Sequence, residues 1–109
     1  MRVAGTRPPE KMIRRGLGTG LPENVLDRVV SEFTPESVGL YTDKCGSHVW
    51  DGPRGFVLTT DDEELPPGLQ RRFAERLGGQ WAVELRAGHL PMLQDPVATA
   101  TAVDGFLNA

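Results

Sequence analysis

The fold is decided by two stretches in the second half of the chain, residues 56–67, FVLTTDDEELPP, and residues 81–93, WAVELRAGHLPML. The first stretch opens with four apolar, β-prone residues, which are typical of a strand buried on both faces. The second opens with alternating apolar and polar residues, which predicts another strand. Between them, residues 67–77 have a helical pattern that ends at Gly78-Gly79. This order predicts a parallel βαβ unit.

A final helix is predicted after the second strand. Residues 87–93 have the composition of a loop, and Asp95-Pro96 is a typical helix start with a capping side chain. The apolar residues that follow have the spacing of a buried helix face, and they are Val97, Ala100, Val103 and Leu107. Because two parallel strands normally need further strands beside them, the βαβα unit points to a larger sheet.

The first half of the chain predicts mainly helices and loops. Residues 1–21 are basic and rich in glycine and proline, which favours a flexible segment with one short helix around residues 10–15. A clear helix is expected from Pro22, where proline suits the first turn. Its apolar stripe has helical spacing and consists of Leu26, Val29, Val30 and Phe33.

A second short helix is predicted to open at Thr34-Pro35-Glu36 and to reach about Tyr41. The glycines and prolines of residues 42–55 indicate a loop. We therefore divide the chain into a flexible segment (1–21), a pair of helices with a loop (22–55) and the βαβα unit (56–109).

Composition excludes several classes of function. Of the 109 residues, 39% are hydrophobic and 25% charged, as in ordinary globular proteins. No apolar run is long enough for a membrane span, and the first residues lack the apolar core of a secretory signal. The basic N-terminal segment has no aromatic residues to stack on bases, and the net charge is −3, so we expect no nucleic-acid partner. Cys45, the single cysteine, allows no internal disulfide and favours a reducing cytoplasm.

Acidic residues and a histidine follow the two predicted strands. Residues 61–64 are Asp-Asp-Glu-Glu after the first strand, and His89 follows the second. Because sites in open α/β sheets form outside the carboxyl ends of the strands, an acid and the histidine should lie side by side. A carboxylate bonded to one ring nitrogen fixes the tautomer of a histidine and stabilises its protonated form. This arrangement would supply two members of a nucleophilic triad.

These motifs resemble the C-terminal part of α/β-hydrolase-fold esterases, in particular the group of methylesterases and hydroxynitrile lyases. The matching stretches are residues 59–67, TTDDEELPP, and residues 87–93, AGHLPML, followed by the helix start at Asp95-Pro96. The order of acid before histidine also agrees with this fold. The resemblance is specific over residues 56–107, looser over residues 22–55, where a helical cap would end, and absent from residues 1–21.

The resemblance implies roles for individual residues. The family acid lies four residues before the first proline, which is Asp62 here, with Asp61 as the alternative. The family histidine corresponds to His89, and Leu90 and Met92 are candidates for the substrate pocket, although Met92 is equally well explained as a core residue. The lyases carry a lysine where Leu90 stands, which favours ester hydrolysis. No cofactor or metal is implied.

The family's nucleophile is missing from the sequence. There is no Gly-x-Ser-x-Gly elbow, and the serines Ser31, Ser37 and Ser47 lack the strand-to-helix context of one. A Cys45–His48 pair is a weaker candidate nucleophile, because no third group orients it. We therefore expect the isolated chain to be inactive.

Three functions remain open at this stage. In the first, the chain contributes acid and histidine to an esterase whose nucleophile comes from a complementing N-terminal half or from an oligomer, and which acts on a small-molecule ester. In the second, it is a truncated or degenerate product without activity. In the third, it is a noncatalytic interaction module whose open sheet edge takes up a partner strand.

Overall fold

The chain is a mixed α/β protein built around two parallel strands. The computed structural model describes residues 5–47, 50–79 and 81–109. Strand β1 (Gly55–Thr59) pairs in parallel with β2 (Trp81–Leu85), with Gly55 opposite Trp81 and Thr59 opposite Leu85. The predicted parallel pair is therefore confirmed.

Helix α4 (Pro67–Leu77) makes the crossover between the strands. Proline in its first turn starts the helix at little cost, since the first amide groups have no partner inside a helix. Gly78 ends it with a left-handed φ of 68°, which a residue without a side chain adopts without strain. These bounds agree with the sequence prediction.

The buried face of α4 differs from the predicted one. Helical spacing puts the apolar residues of this segment on one side, which predicts that this side is buried, yet Phe73 is 41% exposed and Leu77 36% exposed. The residue that packs most deeply is Gln70, at 2% exposure. The helix is rotated so that a polar residue faces the strand, because the backbone beside β1 offers it hydrogen-bond partners.

Two helices in the first half form a small apolar core. Helix α1 (Glu10–Leu17) packs against α2 (Glu23–Glu32), with three buried residues at their contact: Ile13, Leu26 and Val30. Arg14 fixes the pair further, with its guanidinium 2.7 Å from the Asp27 carboxylate and 3.1 Å from that of Glu10. Part of the segment predicted to be flexible is therefore packed and bonded, because Ile13 supplies an apolar contact for the stripe on α2.

The helix predicted from Thr34 begins later. Helix α3 covers only Gly39–Thr42. Glu36 lies instead in an antiparallel bridge with Thr6, in which the Glu36 amide donates to the Thr6 carbonyl at 2.8 Å. The expected helix start is therefore wrong, since the backbone of Glu36 bonds to Thr6 rather than to a following helical turn.

The C-terminal region contains two helices. The loop predicted for residues 87–93 includes a short helix, α5 (Pro91–Gln94), which is followed by α6 (Pro96–Leu107). The Asp95 side chain caps α6 by accepting from the Ala98 amide at 3.0 Å, as predicted.

The face of α6 that was predicted to be buried is exposed. Val97, Val103 and Leu107 are 75%, 48% and 71% exposed, and Ala100 is exposed as well. Ala102, at 6%, is the residue that packs inward. The spacing indicated an apolar face correctly, but nothing in the described residues covers it.

The molecule is less compact than a typical single domain of its length. Its radius of gyration is 16.1 Å, against about 13 Å for a compact chain of roughly 100 residues. None of the helices in the described ranges has the length and apolar character needed to cross a lipid bilayer.

Candidate acid–histidine site

Both strands end in turns that are bonded to each other. After β1, the Thr60 amide donates to the Leu85 carbonyl at 2.9 Å, and the Asp61 amide donates to the Ala87 carbonyl at 3.0 Å. These bonds extend the contact between the two segments to Asp61 and Ala87, two residues beyond the ends of the strands. They bring the acidic turn after β1 next to the histidine loop after β2.

Asp62 and His89 meet at this edge. The Nδ1 atom of His89 lies 2.9 Å from Oδ2 of Asp62. Because an ionised carboxylate only accepts hydrogen bonds, the neutral ring carries its proton on Nδ1 and leaves Nε2 as an acceptor. In the described part of the chain this is the one hydrogen bond of the His89 side chain. Nε2 is therefore available to a reacting hydroxyl.

The carboxylate of Asp62 is buried and fully bonded. Its side chain is 3% exposed. The amides of Glu64 and Leu65 each donate to Oδ1 at 2.8 Å, and the Thr59 hydroxyl donates to Oδ2 at 2.9 Å. Burial raises the pKa of Asp62, but the bonds from Leu65, His89, Thr59 and Glu64 outweigh it and hold the pKa below its ordinary value. The carboxylate of Asp62 is therefore ionised throughout the pH range above its ordinary pKa.

A buried glutamine holds the turn that carries this acid. The Gln70 amide group donates to the Thr59 carbonyl at 2.9 Å and to the Leu65 carbonyl at 2.7 Å. Its oxygen accepts from the Thr59 amide at 2.9 Å. Gln70 thus bonds both ends of the turn whose centre is Asp62. Sequence reasoning missed it, although its position four residues before Ala74 places it on the same helix face.

The histidine loop is held from two sides. The Gly88 amide donates to the side-chain oxygen of Gln94 at 2.9 Å. On the other side Gly88 lies against Thr19, and a Cβ atom at Gly88 would come within 2.7 Å of the Thr19 carbonyl oxygen. A similar close approach brings the Glu64 side chain against Gly16 of α1. Helix α1 and the segment after it therefore pack against the two turns of the site, and the backbone contact with Thr19 explains the need for glycine at position 88.

The remaining residues predicted for the site lie around the histidine. His89 keeps 35% of its side chain exposed, so a second molecule or segment can reach it. Leu90 is half-buried, whereas Met92 on α5 is 50% exposed. Asp61 is exposed, so Asp62 is the acid that contacts His89.

The candidate nucleophiles of the sequence are not brought to His89. Ser31 donates to the Arg28 carbonyl at 2.8 Å within α2, and the Ser37 hydroxyl accepts from the Gly39 amide at 3.2 Å. Ser47 and Cys45 are exposed in the loop before β1, and no hydrogen bond among the described residues joins them to His89. The weaker Cys45–His48 hypothesis falls on His48, which lies outside the described residues.

A separate cavity of about 510 Å³ lies at the opposite end of the strands. Gly78 and Trp81 line it together with Arg54 and Phe106. The Arg54 guanidinium there donates to the carbonyls of Leu77 at 2.5 Å and Trp50 at 2.9 Å. This arginine therefore caps the end of α4, and the acid and histidine remain the chemically distinctive cluster.

Among known proteins, no protein-family model matches this sequence and no curated protein is significantly similar to it. Functional assignment therefore depends on the geometry of Asp62 and His89 and on the motifs around them.

Proposed function

We propose that this chain supplies the acid and the histidine of an α/β-hydrolase-type triad for the hydrolysis of small carboxylic esters. The hydrogen bond of 2.9 Å between Asp62 and His89, at the carboxyl ends of two parallel strands, is the observation that supports it most strongly. Further support comes from the buried, ionised state of the acid and from the partial exposure of the histidine.

In this proposal the roles follow from the hydrogen-bond pattern. His89 accepts a proton at Nε2 from the hydroxyl of a serine that attacks the ester carbonyl. Asp62 keeps the ring in the required tautomer and stabilises the imidazolium. The imidazolium then returns the proton to the departing alcohol. In the second half of the reaction His89 activates the water that hydrolyses the acyl-enzyme.

The serine and the oxyanion-binding amides have to come from further strands. The two-stranded sheet, the radius of gyration of 16.1 Å and the exposed apolar face of α6 support a place within a larger sheet. We propose that these strands belong to a second chain or to further parts of the same protein. Leu90 and Met92 would border the ester, no cofactor or metal takes part, and the compartment would be the cytoplasm.

Complementation tests this function. The chain is joined behind the elbow-bearing half of a short-chain esterase whose own acid and histidine have been removed. We expect hydrolysis of an aryl acetate to appear in the fusion and to be lost in its His89→Ala form, while the unfused chain stays inert. A folded fusion whose activity does not depend on His89 would contradict the proposal.

The second candidate is a noncatalytic interaction module. It is favoured by the exposed apolar residues Val97 and Leu107, at 75% and 71%, since contiguous apolar surface of this kind commonly marks a binding site. An interaction module does not explain why a buried, multiply bonded carboxylate lies beside a partly exposed histidine. The degenerate-fragment alternative has the same weakness, so esterase chemistry is the better account.

A further inference from the structure

Gln70 is the most deeply buried of the polar side chains in the described residues, at 2% exposure, and the proposed reaction gives it no role. In the described part of the chain, its side chain makes no hydrogen bond to His89. The hydrogen bonds of its side chain go to Thr59 and Leu65, the two residues between which the chain turns to present Asp62. A side chain placed in this way can act on the histidine only through the acid.

The bonds of Gln70 replace those of a neighbouring strand at the end of β1. Its amide group donates to the Thr59 carbonyl, and its oxygen accepts from the Thr59 amide, each at 2.9 Å. These are the two bonds that one residue of a paired strand would make. The backbone of Thr59 is therefore fixed in position before the turn begins.

The Thr59 side chain connects this fixed backbone to Asp62 by a hydrogen bond. Its single hydroxyl proton can be directed at Oδ2 of Asp62, 2.9 Å away, or at the Gln70 oxygen, 3.4 Å away. The shorter contact, and the charge on the carboxylate, favour Asp62. Oδ2 is also the atom that contacts Nδ1 of His89. The hydroxyl therefore limits where Oδ2 can lie when it meets the ring.

The third bond fixes the far end of the turn. At 2.7 Å, the bond from Gln70 to the Leu65 carbonyl holds the residue whose own amide donates to Oδ1 of Asp62. Both oxygens of the carboxylate are thus positioned by groups that Gln70 holds. Loss of the glutamine would free both ends of the turn at once.

We propose that Gln70, together with Thr59, is a positioning residue that orients Asp62 and thereby holds His89 in the Nδ1–H tautomer. This inference rests on the proposed function, since orientation of the ring matters only if Nε2 acts as a base. Neither residue touches substrate in this account.

The test measures the tautomer directly in the full 109-residue chain. Ring ¹⁵N chemical shifts of His89 are recorded at about pH 9, where an ordinary imidazole is neutral. We expect the Nδ1–H form to predominate in the wild type. In Gln70→Leu and in Thr59→Val, the ratio of the Nε2–H form to the Nδ1–H form should rise roughly tenfold, as one well-aligned hydrogen bond is lost.

Two controls distinguish a positioning role of Gln70 and Thr59 from a general loss of packing around the helix. Leu69→Ala removes apolar contacts from the same helix and leaves the bonds of Gln70 intact, so it should leave the ratio unchanged. Thr59→Val keeps both backbone bonds to Gln70 and should fold even if Gln70→Leu does not. An unchanged ratio in folded Thr59→Val, or an equal shift in Leu69→Ala, overturns the inference.

Failure of this inference is distinguishable from failure of the proposed function. The tautomer is read without ester or nucleophile, so a fusion that hydrolyses nothing leaves the measurement intact. Conversely, an active fusion together with an unchanged tautomer ratio in both variants would refute the positioning role and leave the proposed function intact.

Discussion

The Asp62 carboxylate and the His89 ring are joined by a hydrogen bond of 2.9 Å between Oδ2 and Nδ1. One partner is 3% exposed and the other 35% exposed. The pair therefore combines a charge shielded from water with a ring that a second group can reach. This asymmetry is what a general base needs, because the acid must stay in place while the histidine exchanges protons with a substrate.

Replacement of the acid should reverse the tautomer of the histidine. In Asp62→Asn the side-chain amide can donate to Nδ1, which then has to act as an acceptor. We expect the Nε2–H form of His89 to predominate, with ring ¹⁵N shifts as the readout. Asp61→Asn is the matched control, since Asp61 is exposed, and it should leave the ring unchanged. A wild-type tautomer in folded Asp62→Asn would show that the acid does not orient the ring.

Low pH should destabilise the fold because Asp62 becomes protonated. Because its pKa in the folded state lies below the ordinary value of 3.8, the folded protein binds this proton more weakly than the unfolded chain. Its contribution to stability is fully present above pH 3.8 and is lost as the pH falls through the folded pKa. Urea unfolding from pH 6 downwards should therefore show a steeper loss of unfolding free energy in the wild type than in Asp62→Asn. Parallel curves for the two proteins would contradict this prediction.

Gly88 should tolerate no side chain. A Cβ atom there would lie 2.7 Å from the Thr19 carbonyl oxygen, so the histidine loop or the segment after α1 would have to shift. We expect Gly88→Ala to lower the free energy of unfolding by about 1–3 kcal/mol, as overpacking does. Gly68→Ala is the control, because nothing lies within 4 Å of its Cβ position in α4, and it should be neutral or stabilising by up to about 1 kcal/mol. Equal effects in chemical denaturation would show that the close approach to Thr19 is absent in solution.

The outer face of α6 should accept polar residues at little cost. Val97 is 75% exposed, so Val97→Thr should change the free energy of unfolding by less than about 0.5 kcal/mol. Ala102 is 6% exposed, and Ala102→Val should cost about 1–3 kcal/mol through overpacking. Thermal or urea unfolding at several protein concentrations provides the comparison. A large, concentration-dependent loss in Val97→Thr would mean that this face is covered by another molecule in solution.

The strands and their crossover could be predicted because their patterns are local. An apolar run, a helical pattern ended by Gly78-Gly79 and an alternating run leave few arrangements other than a parallel βαβ unit. The positions of Asp62 and His89 followed from that topology, since both come directly after strands. Periodicity likewise predicted α2 through the spacing of Leu26 and Val30.

What the sequence did not predict depends on contacts between distant segments. The packing of α1 requires Ile13 to meet the stripe on α2, and the extended course of residue 36 requires Thr6 as a partner. Helical spacing shows which residues of α6 share a face but not whether another element covers that face. Gln70 was missed because polarity normally indicates exposure, and its burial is made favourable by backbone groups of Thr59 and Leu65 that the sequence pattern does not reveal.

The central claim is that His89 and Asp62 act as one catalytic unit towards a serine from elsewhere. Its most direct test is the initial rate of aryl-acetate hydrolysis by the fusion with the elbow-bearing esterase half, compared among the parent, Asp62→Asn, His89→Ala and the double variant. We predict losses of roughly 10⁴-fold for Asp62→Asn and at least as much for His89→Ala, with the double variant no slower than His89→Ala alone. Retention of the parent rate by His89→Ala, or losses that multiply in the double variant, would contradict the account.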